Sequence, residues 1–444
     1  VGEAEPSRAE AGVKTGPLEN RYDLQVPLRR AAAFAILCLS AFAADPVPIT
    51  APQLILLSKT PTDPAFAAAL HTVFKDQQLL DGKAAIGRGP DFLWAIDSAT
   101  EPLLLIDDAP YHAMLRIKGT NLWFQTGHLT TGTSHTYYYT VDGARKGGSY
   151  DLAAYGPDSY EQDVPHGKMS AKLQFTSKIF DGMVCDYWIY VPAGYDPQTP
   201  AALMIWQDGH GFVDRDGGSH LANVIDNLIA QKKIPVMIQL LIDPGKLADK
   251  PLRSVEYDTV SDRYPRFLRD EMLPLIEKQY NIRKDGYSRA IGGESSGGIC
   301  AFNAAWYMPE QFSRVFSRIG SFTSIQWHPG ELEGGDIYPF KIRKEKNKRD
   351  IRVWLQDGSE DLENEHGSWP LQNLEMANSL KRMNYDFHLS FGSGTHNTAQ
   401  GNAQMPEALT WLWRDYDASK QAQEFTMDPE EQAKPLFRVR VYNR

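Results

Sequence analysis

The chain has 444 residues, more than one ordinary domain holds, so two folded units are expected. Hydrophobic residues make up 42% and charged residues 23%, the balance of a chain that buries a core rather than of a disordered one. A formal net charge of −10 argues against a nucleic-acid partner, and the one basic run, residues 341–349 (KIRKEKNKR), reads as a solvated helix face or loop.

Near the start, Arg29-Arg30 precede a short apolar run, residues 31–44 (AAAFAILCLSAFAA), with small residues at Ala41 and Ala43. This is the pattern of a secretory signal peptide, and the run is too short to span a bilayer comfortably. Residues 1–44 are therefore expected to be an upstream extension plus a signal peptide, with the translation start near residues 26–28 and the mature protein secreted or periplasmic. Leu37 is too large for lipoprotein cleavage before Cys38, so no lipid anchor is expected. That leaves Cys185 and Cys300, two buried free thiols rather than a disulfide framework.

Residues 64–77 read as a helix. Short aliphatic and aromatic runs follow at 92–96, 103–106, 113–117, 122–126 and 137–141, each bounded by turn residues. Such spacing predicts a β-sandwich of immunoglobulin-like type over 52–155, with a hairpin turn at Asp142-Gly143. Residues 156–170, polar with two prolines across 155–170, read as a linker. A hairpin is expected at 173–179 and 183–191. Strands at 201–207, 236–242, 289–292, 314–319, 351–355 and 387–391 then alternate with helices at 219–231, 262–280, 298–307, 371–383 and 406–416. That alternation predicts an α/β unit over 171–420, a mostly parallel sheet with helices on both faces, followed by a tail at 421–444.

Gly293-Glu294-Ser295-Ser296-Gly297 lies between a predicted strand and a predicted helix. In that context G-x-S-x-G is a nucleophile elbow, a turn too tight for neighbours with a Cβ, which aims a helix N-terminus at developing negative charge. A serine hydroxyl needs a base, and the base needs a carboxylate to orient it. His396 sits in a small-residue loop (GSGTHN) after the last strand, where that base belongs. Asp357, Glu360 and Asp361 compete for the acid in one turn. Asp361 is preferred, because Asp357 precedes a glycine and suits a turn-forming role, and Glu360 is second choice. The oxyanion hole is expected from the backbone N–H groups of Ser296 and His210. Tyr257, Trp327 and Trp369 could wall a phenolic or sugar group. No cofactor and no metal are expected, since neither His210 nor His366 sits in a metal-ligand spacing.

Residues 206–211 (WQDGHG), 253–257 (RSVEY), 271–274 (EMLP), 291–298 (IGGESSGG), 355–358 (LQDG) and 394–397 (GTHN) carry a resemblance. Residues 171–417 resemble the esterase family that includes enterochelin esterases, feruloyl and acetylxylan esterases of carbohydrate esterase family one, and mycolyltransferases. The resemblance implies an α/β-hydrolase fold with Ser295 as nucleophile, an acid in the 358–361 turn, His396 as base and His210 N–H in the oxyanion hole. The sandwich resembles the immunoglobulin-like domains that precede the catalytic domain in some members. Two functions compete: a secreted esterase acting on feruloyl or acetyl esters of plant polysaccharide, and a siderophore trilactone esterase. A non-catalytic binding protein on the same scaffold is remote, because serine, acid and histidine are all present.

Overall fold

The structure is a computed structural model and describes residues 48–438. The expected upstream extension and signal peptide, residues 1–44, lie outside the described residues.

Three short helices come first: α1 (Ala51–Leu57), α2 (Pro64–Val73) and α3 (Asp76–Leu80). The single helix expected at 64–77 is broken. Asp63 caps α2 by accepting the Ala65 N–H at 2.9 Å, and Phe74 leaves helical backbone (φ −113°, ψ 139°) and buries its ring. Eight strands follow: β1 (Ala84–Arg88), β2 (Asp91–Asp97), β3 (Leu103–Ile106), β4 (Ala109–Pro110), β5 (Leu115–Arg116), β6 (Leu122–His128), β7 (Thr133–Val141) and β8 (Ala144–Ala154). They make two antiparallel sheets, ordered β1-β2-β6-β5 and β4-β3-β7-β8. Alternation along β2 divides its side chains. Phe92, Trp94 and Ile96 join Leu104, Ile106, Tyr137 and Tyr139 between the sheets, while Leu93 and Ala95 pack under the three helices.

The Asp142-Gly143 turn has φ of 50° and 80°, as a two-residue hairpin with primed geometry requires. β1 and β8 are absent from the sequence reading. β8 contains Gly147-Gly148, which looks like a loop. Both glycines have positive φ within a bulged pairing with β7, and a Cβ on Gly148 would lie 1.9 Å from the Tyr137 carbonyl oxygen.

The second part is built on β9 (Lys168–Met169), β10 (Leu173–Thr176), β11 (Val184–Val191), β12 (Ala202–Gln207), β13 (Met237–Ile242), the small hairpin β14 (Lys246–Leu247) and β15 (Lys250–Pro251), β16 (Arg289–Glu294), β17 (Arg314–Arg318) and β18 (Arg352–Glu360). The pair β19 (Glu363–Asn364) and β20 (Gly367–Ser368) stands apart from the large sheet, which ends at β21 (Asp386–Thr395). The order is β15-β14-β11-β13-β12-β16-β17-β18-β21; the pairs from β13 through β21 are parallel, and β11 runs antiparallel to β13.

Helices cover both faces. In β12, Leu203 and Ile205 meet α6 (Arg263–Phe267), α7 (Leu273–Glu277), α8 (Ser296–Tyr307), α9 (Tyr338–Lys344) and α10 (Trp369–Arg382) in one buried cluster. Met204 and Trp206 meet α4 (Leu221–Ala230) and α12 (Met405–Leu412) in the other. The short α5 (Arg253–Tyr257) and α11 (Ala399–Ala403) sit at the end of the sheet where the strands deliver their loops.

The expected linker is docked rather than free. Asn227 Nδ2 donates to the carbonyls of Asp158 and Tyr160, at 3.0 and 2.8 Å, and β9 pairs with β11. The expected tail also packs down as far as it is described: Phe425 and Met427 are buried, and α13 (Pro429–Ala433) buries Glu431. Cys185 and Cys300 are both buried free thiols.

Ile205 on β12 is fully buried in the first cluster, so Ile205→Ala should cost about 2–5 kcal/mol of stability. Urea denaturation of the purified protein measures this; a loss below about 1 kcal/mol would contradict the core assignment.

Candidate active site

Ser295 lies between β16 and α8 with φ 56° and ψ −121°, a backbone conformation that residues with a side chain rarely adopt. Its N–H donates to the Arg318 carbonyl (3.0 Å), and its own carbonyl accepts from Ser321 N–H (3.0 Å) and Gly298 N–H (2.9 Å). The turn closes on itself, so that a Cβ on Gly293 would lie 2.6 Å from the Gly297 backbone. The glycines of the motif are therefore steric requirements.

His396 ends the chain's return along β21. Its Nε2 is 2.8 Å from Ser295 Oγ, and its Nδ1 is 2.6 Å from Asp361 Oδ1. Asp361 also accepts the Leu362 N–H at 2.6 Å, and its side chain is fully buried. Burial would raise its pKa, but His396 and the neighbouring donors outweigh that and hold it below the usual carboxylate range. Asp357, buried on the same turn, behaves in the opposite way. Burial first, then Asp361, pushes its pKa well up, so that Asp357 holds its proton more tightly than Asp361 does. Its Oδ1 accepts the Gly358 N–H at 2.8 Å. Glu360 is exposed and is not bonded to His396. Of the three competing carboxylates, the geometry brings only Asp361 to the histidine.

Other expected residues fall elsewhere. His210 follows β12, but its N–H and its ring Nδ1 are both 2.8 Å from Asp243 Oδ1. Asp208 adopts left-handed backbone (φ 55°, ψ 51°), and the 3₁₀ turn after it directs the His210 amide at Asp243, so the expected oxyanion donor is already engaged. Ser296 opens α8, where a backbone N–H has no intrahelical acceptor. Tyr257 is 1% exposed and cannot wall a substrate; its hydroxyl is 3.4 Å from Asp208 N. Trp369 is also buried. Its Nε1–H donates to Ser321 Oγ (3.1 Å), which lies 3.2 Å from Ser295 Oγ, and its ring meets the His396 ring edge-on at 5.7 Å. It supports the site from below. Trp327 is 55% exposed, and the neighbouring Gln326 donates to Ser254 Oγ at 2.9 Å.

Two arginines were missed by reasoning from the sequence. Arg253 grips both oxygens of Asp208 (2.7 and 2.8 Å) and donates to Ser296 Oγ (3.0 Å), tying the loop after β12 to the elbow. Burial works against its charge, but Asp208 outweighs it and keeps the guanidinium protonated. Arg318 is fully buried beneath the elbow, pairs with Glu294 and donates to Asn402 Oδ1 at 2.6 Å. The available signals were the arginine in RSVEY and an arginine interrupting the apolar run RVFSRI. Among the described residues, no group of three or more His, Cys, Asp or Glu could hold a metal ion.

The arrangement can pass a proton from Ser295 to His396 while Asp361 holds the ring and balances the imidazolium charge. The family described as Putative esterase matches residues 184–412, more than half of the chain. A Xylanibacter ruminicola protein named endo-1,4-beta-xylanase/feruloyl esterase is 26% identical over 281 residues, covering 57% of this chain and 35% of its own length. The iron(III) enterobactin esterase of Dickeya dadantii is 20% identical over 227 residues, covering 51% of each. The chain thus spans a third to a half of these relatives' length. The crystal structure of the enterobactin esterase from Shigella flexneri has a TM-score of 0.49 at 16% identity, covering 73% of this chain and 93% of that one.

Asp361→Asn should lower kcat by ~10⁴, because the amide favours the wrong histidine tautomer. Asp357→Asn still offers a donor toward Asp361 and should stay within about tenfold of the parent. Steady-state kinetics on a chromogenic ester separates the two; equal losses would remove the distinction between the carboxylates.

Proposed function

We propose that this chain, which belongs to the esterase family matched at residues 184–412, hydrolyses carboxylic esters through an acyl-enzyme on Ser295. The observation that carries this reading is the unbroken relay Asp361–His396–Ser295, at 2.6 and 2.8 Å, on an elbow whose nucleophile has φ 56°. Ser295 attacks the acyl carbon, His396 takes its proton and returns it to the leaving alcohol, and a water activated by the same histidine releases the acid. Ser296 N–H, at the positive end of α8, serves the oxyanion. His210 N–H is the second donor only once Asp243 has released it.

The substrate we favour is an acylated plant polysaccharide or a phenolic ester, feruloyl or acetyl. In support stands the likeness to the xylanase/feruloyl esterase. Trp327, the exposed one of the three expected aromatics, is left to meet such a group. The likeness to an iron(III) enterobactin esterase supports a second reading, a siderophore trilactone esterase. Export to the periplasm or the medium rests on residues 29–44 of the sequence; none of the described helices is long and apolar enough to cross a membrane.

We read the chain as an N-terminal domain, residues 52–155, joined by residues 156–170 to a hydrolase domain over 171–420. The N-terminal part is read as immunoglobulin-like. Lettering β1–β8 as A, B, C, C′, D, E, F and G turns the two observed sheets into ABED and C′CFG, the strand partition of that fold.

Ser295→Ala should abolish hydrolysis of p-nitrophenyl esters, methyl ferulate and acetylated xylan while leaving the thermal transition in place; near-normal turnover in that variant would end the proposal. In the same panel the parent enzyme should cleave methyl ferulate or acetylated xylan in preference to a catechol trilactone. The reverse preference would move the substrate to the siderophore class.

A further inference from the structure

β21 is the edge strand of the large sheet, and it carries His396 one residue beyond its end. An edge strand leaves outward N–H groups without a ladder partner. Here the sandwich supplies one. Thr395 N–H donates to Asp151 Oδ1 at 2.9 Å, and Thr395 Oγ1–H donates to Asp151 Oδ2 at 2.6 Å. The hydroxyls of Thr136 and Ser393 hydrogen-bond at 2.8 Å beside this pair. Asp151 and Thr136 belong to β8 and β7, so two strands of the sandwich grip the loop that carries the base.

The grip is itself braced. Thr136 N–H donates to Asp107 Oδ1 (2.9 Å), and Asp107 Oδ2 is 2.7 Å from His135 Nδ1. Asp151 N–H donates to Ser149 Oγ at 3.0 Å. On the other side Gly394 admits the carboxylate, since a Cβ there would come within 3.2 Å of Asp151 Oδ1. The pairing of β21 with β18 shifts register between Gly358 and Glu360, so Thr395 rejoins the ladder opposite Glu360 only beyond a bulge, and the Asp151 contacts are added to a single, displaced pairing.

We propose that Asp151 is a positioning residue for the general base: by holding both hydrogen-bond donors of Thr395, it sets the backbone from which the His396 ring reaches Ser295 and Asp361. The sandwich is then part of the catalytic apparatus. The proposal rests on the reading of Ser295 and His396 as nucleophile and base. His396 hangs one residue beyond the clamp, and displacement of a catalytic group by about 1 Å can cost on the order of 100-fold in rate.

The test uses the full chain and a p-nitrophenyl ester, with kcat and KM measured separately for the parent, Asp151→Ala, Asp151→Asn, Thr395→Val and the double variant Asp151→Ala/Thr395→Val. Asp151→Ala should lower kcat by about 10- to 100-fold with KM changed by less than about twofold. Asp151→Asn should recover most of that loss, because its amide oxygen still accepts the Thr395 N–H and its NH₂ can donate to the Thr395 hydroxyl. Thr395→Val keeps the backbone bond and loses only the hydroxyl, so it should show a smaller fall of the same kind. The double variant should be no slower than Asp151→Ala. A kcat within about twofold of the parent in Asp151→Ala, or losses that multiply in the double variant, would overturn the clamp. If Asp151→Ala does not fold, Thr395→Val decides: a kcat loss at constant KM supports the clamp, and parental kcat overturns it. Hydrolysis that persists in Ser295→Ala would instead defeat the underlying mechanism, whereas a Ser295-dependent reaction at full rate in Asp151→Ala defeats the clamp alone.

Discussion

A serine held at φ 56° and ψ −121° stores on the order of 1–3 kcal/mol of backbone strain, and much of the surrounding structure can be understood as what keeps it there. The Arg318 carbonyl fixes its N–H, and the amides of Gly298 and Ser321 fix its carbonyl. The glycines at 293 and 297 allow the chain to cross itself. The strained turn lifts Oγ out of the sheet toward His396 and places the first amides of α8 beside it. Relaxing the turn would remove the strain and the site together.

Holding such a turn requires neighbours that cannot shift, and arginines, one half-buried and the others buried, supply several of them. Arg253 bridges Asp208 to Ser296, so the loop after β12 and the elbow move as one piece. Arg318 bridges Glu294 to Asn402 on the helix that follows the histidine loop. Farther from the chemistry, Arg289 pairs with Glu277 and Arg352 with Asp386, at 2.9 and 2.6 Å. Among the described residues, Arg314 has no carboxylate partner within salt-bridge distance. It donates to the Leu412 carbonyl among the rings of Tyr287 and Trp413, each 4.6 Å away, and burial brings its pKa down to about 9. Ion pairs of this kind add little net stability against a hydrophobic alternative, but removing one partner leaves an uncompensated buried charge. They define one geometry at high cost to any other.

The parallel sheet was legible because near-continuous apolar runs alternate in order with helices, and the elbow because G-x-S-x-G has a strand before it and a helix after it. Position along the chain pointed to His396 and to a turn holding Asp357, Glu360 and Asp361, and the structure brings Asp361 to the histidine. What escaped depends on contacts distant in sequence. Gly147-Gly148 reads as a loop until β7 is seen to need those glycines. Tyr257 and Trp369 look like loop aromatics, and only packing shows that they lie under the site. His210 was placed correctly in the chain, but its amide direction depends on Asp243, 33 residues on, across β13. Asp151 sits in an unremarkable run, SYDLAA, and gains its meaning from Thr395, 244 positions away.

The choice between Asp357 and Asp361 illustrates how burial settles what composition leaves open. Two carboxylates so close in a dry turn cannot both ionise cheaply, so one holds its proton more tightly than the other. The one that ionises more readily is the one touching His396, since an imidazole Nδ1–H stabilises the anion, whereas the donors beside Asp357, Gly358 N–H among them, do not offset its burial. Their effects on stability have opposite signs. Asp361, depressed, contributes stability that is present above the ordinary carboxylate range and is lost as pH falls through its lowered pKa. Asp357, raised, is most favourable when protonated, and its contribution declines as pH rises from the ordinary carboxylate range toward its raised value. The two carboxyls of the turn are therefore shifted in opposite directions, Asp357 holding its proton more tightly and Asp361 less. Loss of Asp361's charge at the acid end would release the histidine, while ionisation of Asp357 at the other end would crowd Asp361 with a second negative charge.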